Sequence, residues 1–255
     1  ENNMWCDILS KFRDYFNSIS PTDTSNYTIK LKAGRGYNYD FLVEYFDVNK
    51  LLIQSDHIEF KSNASSISDC PQFVSPMKPT QYFNCEQSYE DYHYDNYLPL
   101  ICERCNVEVP ERETYLKEIH NNKPPCMLNV QEKFYKGATR SSRYTGLSDD
   151  IETYHFIVKK GKESIKNYLE NNTLNIDAMN KHLNETQKDK KYMLWDGSQF
   201  HFQIMPEDSY TIRNICEIRN NNSIVCETMN GNKIKILLRW KNGEGVAFPA
   251  FQISC

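Results

Sequence analysis

Apolar and polar positions alternate through much of this chain, and the alternation predicts strands. Tyr27 to Ala33 alternates and is followed by a turn at Gly34-Arg35-Gly36. Phe41 to Phe46 is rich in aromatic and β-branched residues, and Leu51–Ile53 and His57–Phe60 continue the series. Short runs of this kind, bounded by Gly, Asn, Asp and Ser, predict a sandwich or barrel. Residues 61–97 lose the periodicity and read as a long loop region anchored by Cys70 and Cys85. Leu98 to Val109 is apolar again and reads as a strand, as does Thr153 to Val158. Helical spacing stands out in one segment, about 162–187, where Ile165, Tyr168 and Leu169 and then Ile176, Met179 and Leu183 recur. Asn171-Asn172 is expected to split that helix, with Asn175 or Asp177 near the second N-cap. Beyond it lie hairpins: Tyr210–Arg219 and Ser223–Met229 flank Asn220–Asn222, and Asn230-Gly231 turns into Lys233–Trp240. Lys241–Gly243 turns into a last strand at Val246–Ile253.

The polar stretch from Pro110 to Pro125 interrupts this series and marks the best boundary. The expected fold class is therefore mainly β. Two disulfide-stapled, β-sandwich-like domains are expected at 1–122 and 123–255, the second carrying the helical insertion.

Composition narrows the compartment. The 30 basic and 34 acidic side chains leave no basic excess of the kind that neutralises nucleic-acid phosphates. Apolar residues make up only 39%, but 17 Tyr, 13 Phe and 3 Trp can still fill a core. Nine cysteines point to an oxidising compartment, and thus to a secreted or extracellular-surface protein. Five N-glycosylation sequons begin at Asn26, Asn63, Asn171, Asn184 and Asn221; in an Asn-rich chain they add little weight of their own. The first residues show no apolar leader, as expected of a processed start. The longest apolar run, Ile234 to Trp240, is broken by Lys235 and Arg239, so no membrane-spanning segment is expected.

Among the cysteines, Cys216 and Cys226 lie opposite each other if the hairpin turn centres on Asn221, and a cross-strand disulfide is feasible there. Each could equally take a partner such as Cys126 or Cys255. Nine is odd, so one thiol is left after four bridges. In a strand, Cys102 and Cys105 would face opposite sides, leaving one of them as the candidate for an inter-chain disulfide. Cys102, Cys105, His120 and Cys126 also have zinc-like spacing, set against an oxidising compartment. No catalytic template appears: there is no G-x-S-x-G, no H-E-x-x-H and no glycine-rich phosphate loop. No catalytic residue, cofactor or metal is therefore assigned. The acidic, Tyr-rich stretch Glu86–Tyr97 reads as a recognition loop or a solvated one. The lysines at 159, 160, 162, 166, 188, 190 and 191 read as a solvated face, with a glycan or membrane-surface contact as the weaker alternative. Lys136 to Arg143 forms a basic, hydroxyl-rich loop.

The Asn-, Lys- and Tyr-rich, Gly-poor composition looks like proteins of AT-rich genomes. With two cysteine-stapled halves, the organisation resembles the six-cysteine surface-protein family of malaria parasites. The resemblance rests on organisation and cysteine count across the whole chain. It departs from the family in having nine cysteines where two full domains need twelve. It implies two β-sandwich domains of mixed parallel and antiparallel strands and a binding role at the parasite surface. For one member it also implies a disulfide-linked partner, the thrombospondin-related apical merozoite protein. The expected function is a protein-binding ectodomain, a subunit of an adhesion or host-cell invasion complex. A secreted enzyme with a non-local active site and a secreted small-ligand carrier are its rivals.

Overall fold

The computed structural model describes residues 2–33, 37, 39–69, 73–76, 79–187, 190–220 and 222–254. The protein is mixed, 39% helical and 29% strand, so the mainly-β expectation is corrected. It divides into two compact units, one formed by 1–72 and 182–211 and the other by 73–181 and 212–254. A division at 122/123 is not what the chain adopts. The Pro110–Pro125 stretch holds a short helix, Arg112–Glu118, and lies inside the second unit.

The first unit starts with helix α1 (Asn2–Ile19), whose Phe12, Tyr15, Phe16 and Ile19 recur at helical spacing. These residues pack on one face of a five-stranded sheet, against Val43, Tyr45, Ile58 and Met193. The strands are β1 (Asn26–Leu31), β2 (Phe41–Phe46), β3 (Leu52–Ser62), β7 (Lys190–Trp195) and β8 (Phe200–Ile204), in that spatial order. All neighbours are antiparallel except β3 and β7, which run parallel with His57 opposite Lys190. The two segments read as separate strands at 51–53 and 57–60 are one strand, β3. The sheet's other face buries Tyr192 and Leu194 against Ala64 and Ile67. A helix on an open sheet replaces the expected sandwich, and the sheet does not close into a barrel.

The second unit carries an antiparallel sheet of β4 (Phe73–Pro76), β12 (Pro249–Ser254), β11 (Lys233–Trp240), β10 (Ser223–Thr228) and β9 (Ile212–Arg219). A two-stranded ribbon pairs β5 (Phe83–Asn84) with β6 (Thr173–Leu174). The helices are α2 (Pro79–Tyr82), α3 (Tyr89–Asn96), α4 (Leu98–Cys105), α5 (Arg112–Glu118), α6 (Leu128–Gly137) and α7 (Ser148–Asn171). Helix α8 (Ile176–Gln187) follows the expected break at Asn171-Asn172, and Asn175 Oδ1 accepts from the backbone of Ala178 at 3.0 Å as its cap. The Thr153–Val158 "strand" is part of α7. Its buried Thr153, Ile157, Gly161, Ser164 and Tyr168 form a helical stripe that outweighs the β-branched and aromatic composition. Gly161 lets this helix touch the 241–247 turn, because a Cβ there would lie 2.8 Å from backbone atoms of Glu244 and Gly245.

Candidate functional site

Solvent-facing aliphatic side chains concentrate at the turn joining β2 to β3. Asp47 organises that turn: its Oδ1 accepts from the backbone N–H of Asn49 and of Leu51, each at 2.8 Å. Backbone bonds from Asp47 N to Leu51 O and from Lys50 N to Asp47 O close it, with Lys50 in the left-handed region at φ +64°. The result is a defined hairpin tip with Val48 81%, Leu51 65%, Leu52 55% and Ile53 40% exposed. Single exposed aliphatics are ordinary; four within six residues on an ordered turn form a patch that gains by being covered. The sequence showed Leu51–Ile53 as apolar and strand-like, but nothing in it revealed that they face solvent.

The cysteines differ from expectation. Leu98, Ile101, Cys102 and Cys105 are the buried stripe of helix α4, so the two thiols share one face and both are enclosed. Neither is presented to a partner, which corrects their assignment as inter-chain disulfide candidates. Burial raises both thiols to about 11. Cys126 is raised to about 12, first by burial and then by its bond to Glu118. These thiols stay protonated at neutral pH and are poor nucleophiles. His120 is committed elsewhere, its Nε2 lying 2.8 Å from Glu90 Oε1, and no metal-ligand cluster forms among the described residues.

The β9–β10 hairpin follows the expected register from Arg219–Ser223 to Glu217–Val225, after which a bulge intervenes. Cys226 therefore stands opposite Ile215, not Cys216; Cys226 is buried and Cys216 exposed. Both carry free thiols, and burial followed by the neighbouring Cys216 raises Cys226 to about 12. The expected disulfide is thus absent, as is disulfide stapling among Cys6, Cys102, Cys105, Cys126, Cys216 and Cys226. Cys70 and Cys255 lie outside the described residues. Cys6 and Cys216 are exposed thiols.

The sequon asparagines Asn26, Asn63, Asn171 and Asn184 are all exposed, and Asn221 lies outside the described residues. Glu86–Tyr97 is not a loop. Ser88 caps α3, Tyr89 and His93 are buried, and Asp91 and Asp95 pair with Arg112. Lys190 is not solvated: its ammonium is buried against Glu59 Oε2 at 3.3 Å, and burial lowers its pKa. Lys188 lies outside the described residues.

A cleft of about 850 Å³ opens in the first unit beside Gln54, Asp56, Gln187, Lys191 and Tyr210. Among its charged groups, Asp56 Oδ1 accepts from Lys191 Nζ at 2.7 Å and from Gln54 Nε2 at 2.8 Å, while Glu207 and Asp208 are exposed. A second cleft, of about 760 Å³, lies in the other unit beside the basic loop 138–143. No helix among the described residues is long and apolar enough to cross a membrane. No family model matches this chain, and no curated protein matches its sequence.

Proposed function

We propose that the chain is a protein-binding module of a secreted or surface-exposed protein, serving as a subunit of an adhesion or invasion complex. The observation that carries this reading is the hairpin tip. Covering an aliphatic side chain contributes roughly 1.5–3 kcal/mol, and Val48, Leu51, Leu52 and Ile53 offer that gain together on a turn that needs no reordering. The fitting partner is a protein with an apolar groove that receives the tip. The cysteine count and four exposed sequon asparagines motivate the extracellular compartment, while the free thiols and the mixed helix-and-strand units lend the resemblance to six-cysteine surface proteins no support. A covalent link to a partner such as the thrombospondin-related apical merozoite protein would then fall on Cys6 or Cys216, the exposed thiols.

The test places a photo-crosslinking residue at position 48 in cells of the native source and identifies the protein captured. That protein, purified, is then titrated against wild type, the Val48→Asp/Leu51→Asp double variant and Met229→Asp, an exposed apolar residue of the other unit. A loss of at least a hundredfold in the tip variant alone supports the reading. Equal affinity in all three overturns it.

A further inference from the structure

Four cationic side chains converge on the second unit's cleft: Lys123 before α6, Arg140 and Arg143 in the loop after it, and Lys241 after β11. All four are exposed, in a chain whose formal net charge is −4. No acidic side chain lines the cleft. The described ion pairs use none of the four cations, and Glu132, next to the lining residue Gln131, is held by Lys136 at 2.7 Å. Glu132 also feels Arg143, but four cations outnumber that one carboxylate; like charges so gathered repel one another, and the repulsion is relieved when an anion enters.

The remaining surface of the cleft is not that of a simple ion site. Ser141 and Ser142 supply hydroxyls, and Tyr135 supplies a partly exposed ring. A small amide cluster closes one side: Asn242 Nδ2 donates to Asn122 Oδ1 at 2.9 Å, and Gln131 Nε2 donates to the Asn122 carbonyl at 3.1 Å. Guanidinium groups match the oxygens of phosphate or sulfate, while hydroxyls, amides and an aromatic face suit the hydroxyls and C–H face of a sugar ring. A volume of about 760 Å³ accommodates more than one ring.

From this we infer that the cleft binds a sugar carrying phosphate or sulfate esters. The inference does not depend on the hairpin tip or on the compartment. A sulfated glycan chain and a free sugar phosphate both present such esters, and the two sources separate by experiment.

Calorimetry at 50 and 300 mM NaCl would use three probes: a heparin-derived tetrasaccharide, its fully desulfated counterpart and fructose 1,6-bisphosphate. The variants are Arg140→Ala/Arg143→Ala and, as a control with the same change in charge, Lys11→Ala/Lys30→Ala in the other unit. Wild type is expected to bind an ester-bearing probe, more weakly at high salt, and not the desulfated one. The cleft variant should lose at least tenfold and the control less than twofold. Binding of the tetrasaccharide alone marks a glycan chain as the source, and binding of the bisphosphate alone marks a free sugar phosphate. No binding by wild type, equal binding of the desulfated probe, or equal loss in both variants overturns the inference.

Discussion

In the second unit a line of buried donors ends on a carbonyl. Trp240 Nε1–H donates to the Tyr89 hydroxyl at 2.9 Å, and that hydroxyl lies 2.8 Å from Ser164 Oγ. Ser164 Oγ lies 3.0 Å from His93 Nδ1, while His93 Nε2 lies 3.2 Å from the Gly245 carbonyl. A carbonyl can only accept, so Nε2 carries the proton and Nδ1 accepts from Ser164, whose single proton it shares with the Gly161 carbonyl at 2.8 Å. In the first unit the buried Tyr15 and Tyr45 hydroxyls and Asp56 Oδ2 have no hydrogen-bond partner. Burial first, then nearby Asp56, raises the Tyr45 hydroxyl; burial first, then Tyr45 and after it Asp56, raises the Tyr15 hydroxyl. A buried polar group left unpaired costs about 1–3 kcal/mol, whereas a paired one contributes about 1 kcal/mol. The network therefore fixes α3, α7, β11 and a turn to one another, whereas the unpaired groups, including the Tyr115 hydroxyl and His120 Nδ1 in the second unit itself, are carried as a load.

The comparison can be broken in four places. Trp240→Ala removes a fully buried ring and one of the two hydrogen bonds at the Tyr89 hydroxyl, so it should cost about 3–5 kcal/mol and lower the melting temperature more than any other change here. Acid comes next. Burial depresses His93 from 6.5 to about 3, so the unfolded chain takes up a proton that the folded one refuses. Stability from this group is whole above about pH 6.5. It is lost as pH falls toward 3, at up to about 1.4 kcal/mol per pH unit. Denaturant titrations from pH 7 to 4 should show this slope, and His93→Gln should flatten it; equal slopes would mean His93 is not held neutral. Tyr89→Phe strands the Trp240 donor and should cost about 1–3 kcal/mol by the same titration. Tyr45→Phe should cost close to nothing or stabilise slightly, because it deletes an unpaired hydroxyl. If Tyr45→Phe cost as much as Tyr89→Phe, the contrast between the networked and the unpaired hydroxyls would fail.

How much of this could be read from the sequence depended on how local its cause was. Asn230-Gly231 sets its own hairpin, with Gly231 at φ +83°, and the β10–β11 turn falls where that dipeptide puts it. The break at Asn171-Asn172 and the Asn175 cap are local too. Helix α4 was legible and misread: Leu98, Ile101, Cys102 and Cys105 follow helical spacing, but an apolar run of that length also fits a strand. The bulge that separates Cys216 from Cys226 leaves no mark in the sequence. The basic loop 138–143 was visible as composition, but its meeting with Lys123 and Lys241 depends on tertiary folding. The exposed tip and the Trp240–His93 network are likewise products of packing, joining residues up to 152 positions apart.

The pairing of β3 with β7 sets an order of events as the chain emerges from a ribosome. The β1–β3 meander is complete once Ser62 has been made, yet one side of β3 has no neighbour until Lys190–Trp195 arrives. Throughout the synthesis of residues 63–189 that strand offers its unpaired amides and carbonyls to any other nascent chain. The second unit also waits, since its sheet needs the strands from Ile212 to Ser254. Both units thus become complete only after residues 190–254 have been made, and a chain truncated before residue 190 should aggregate where the full chain does not.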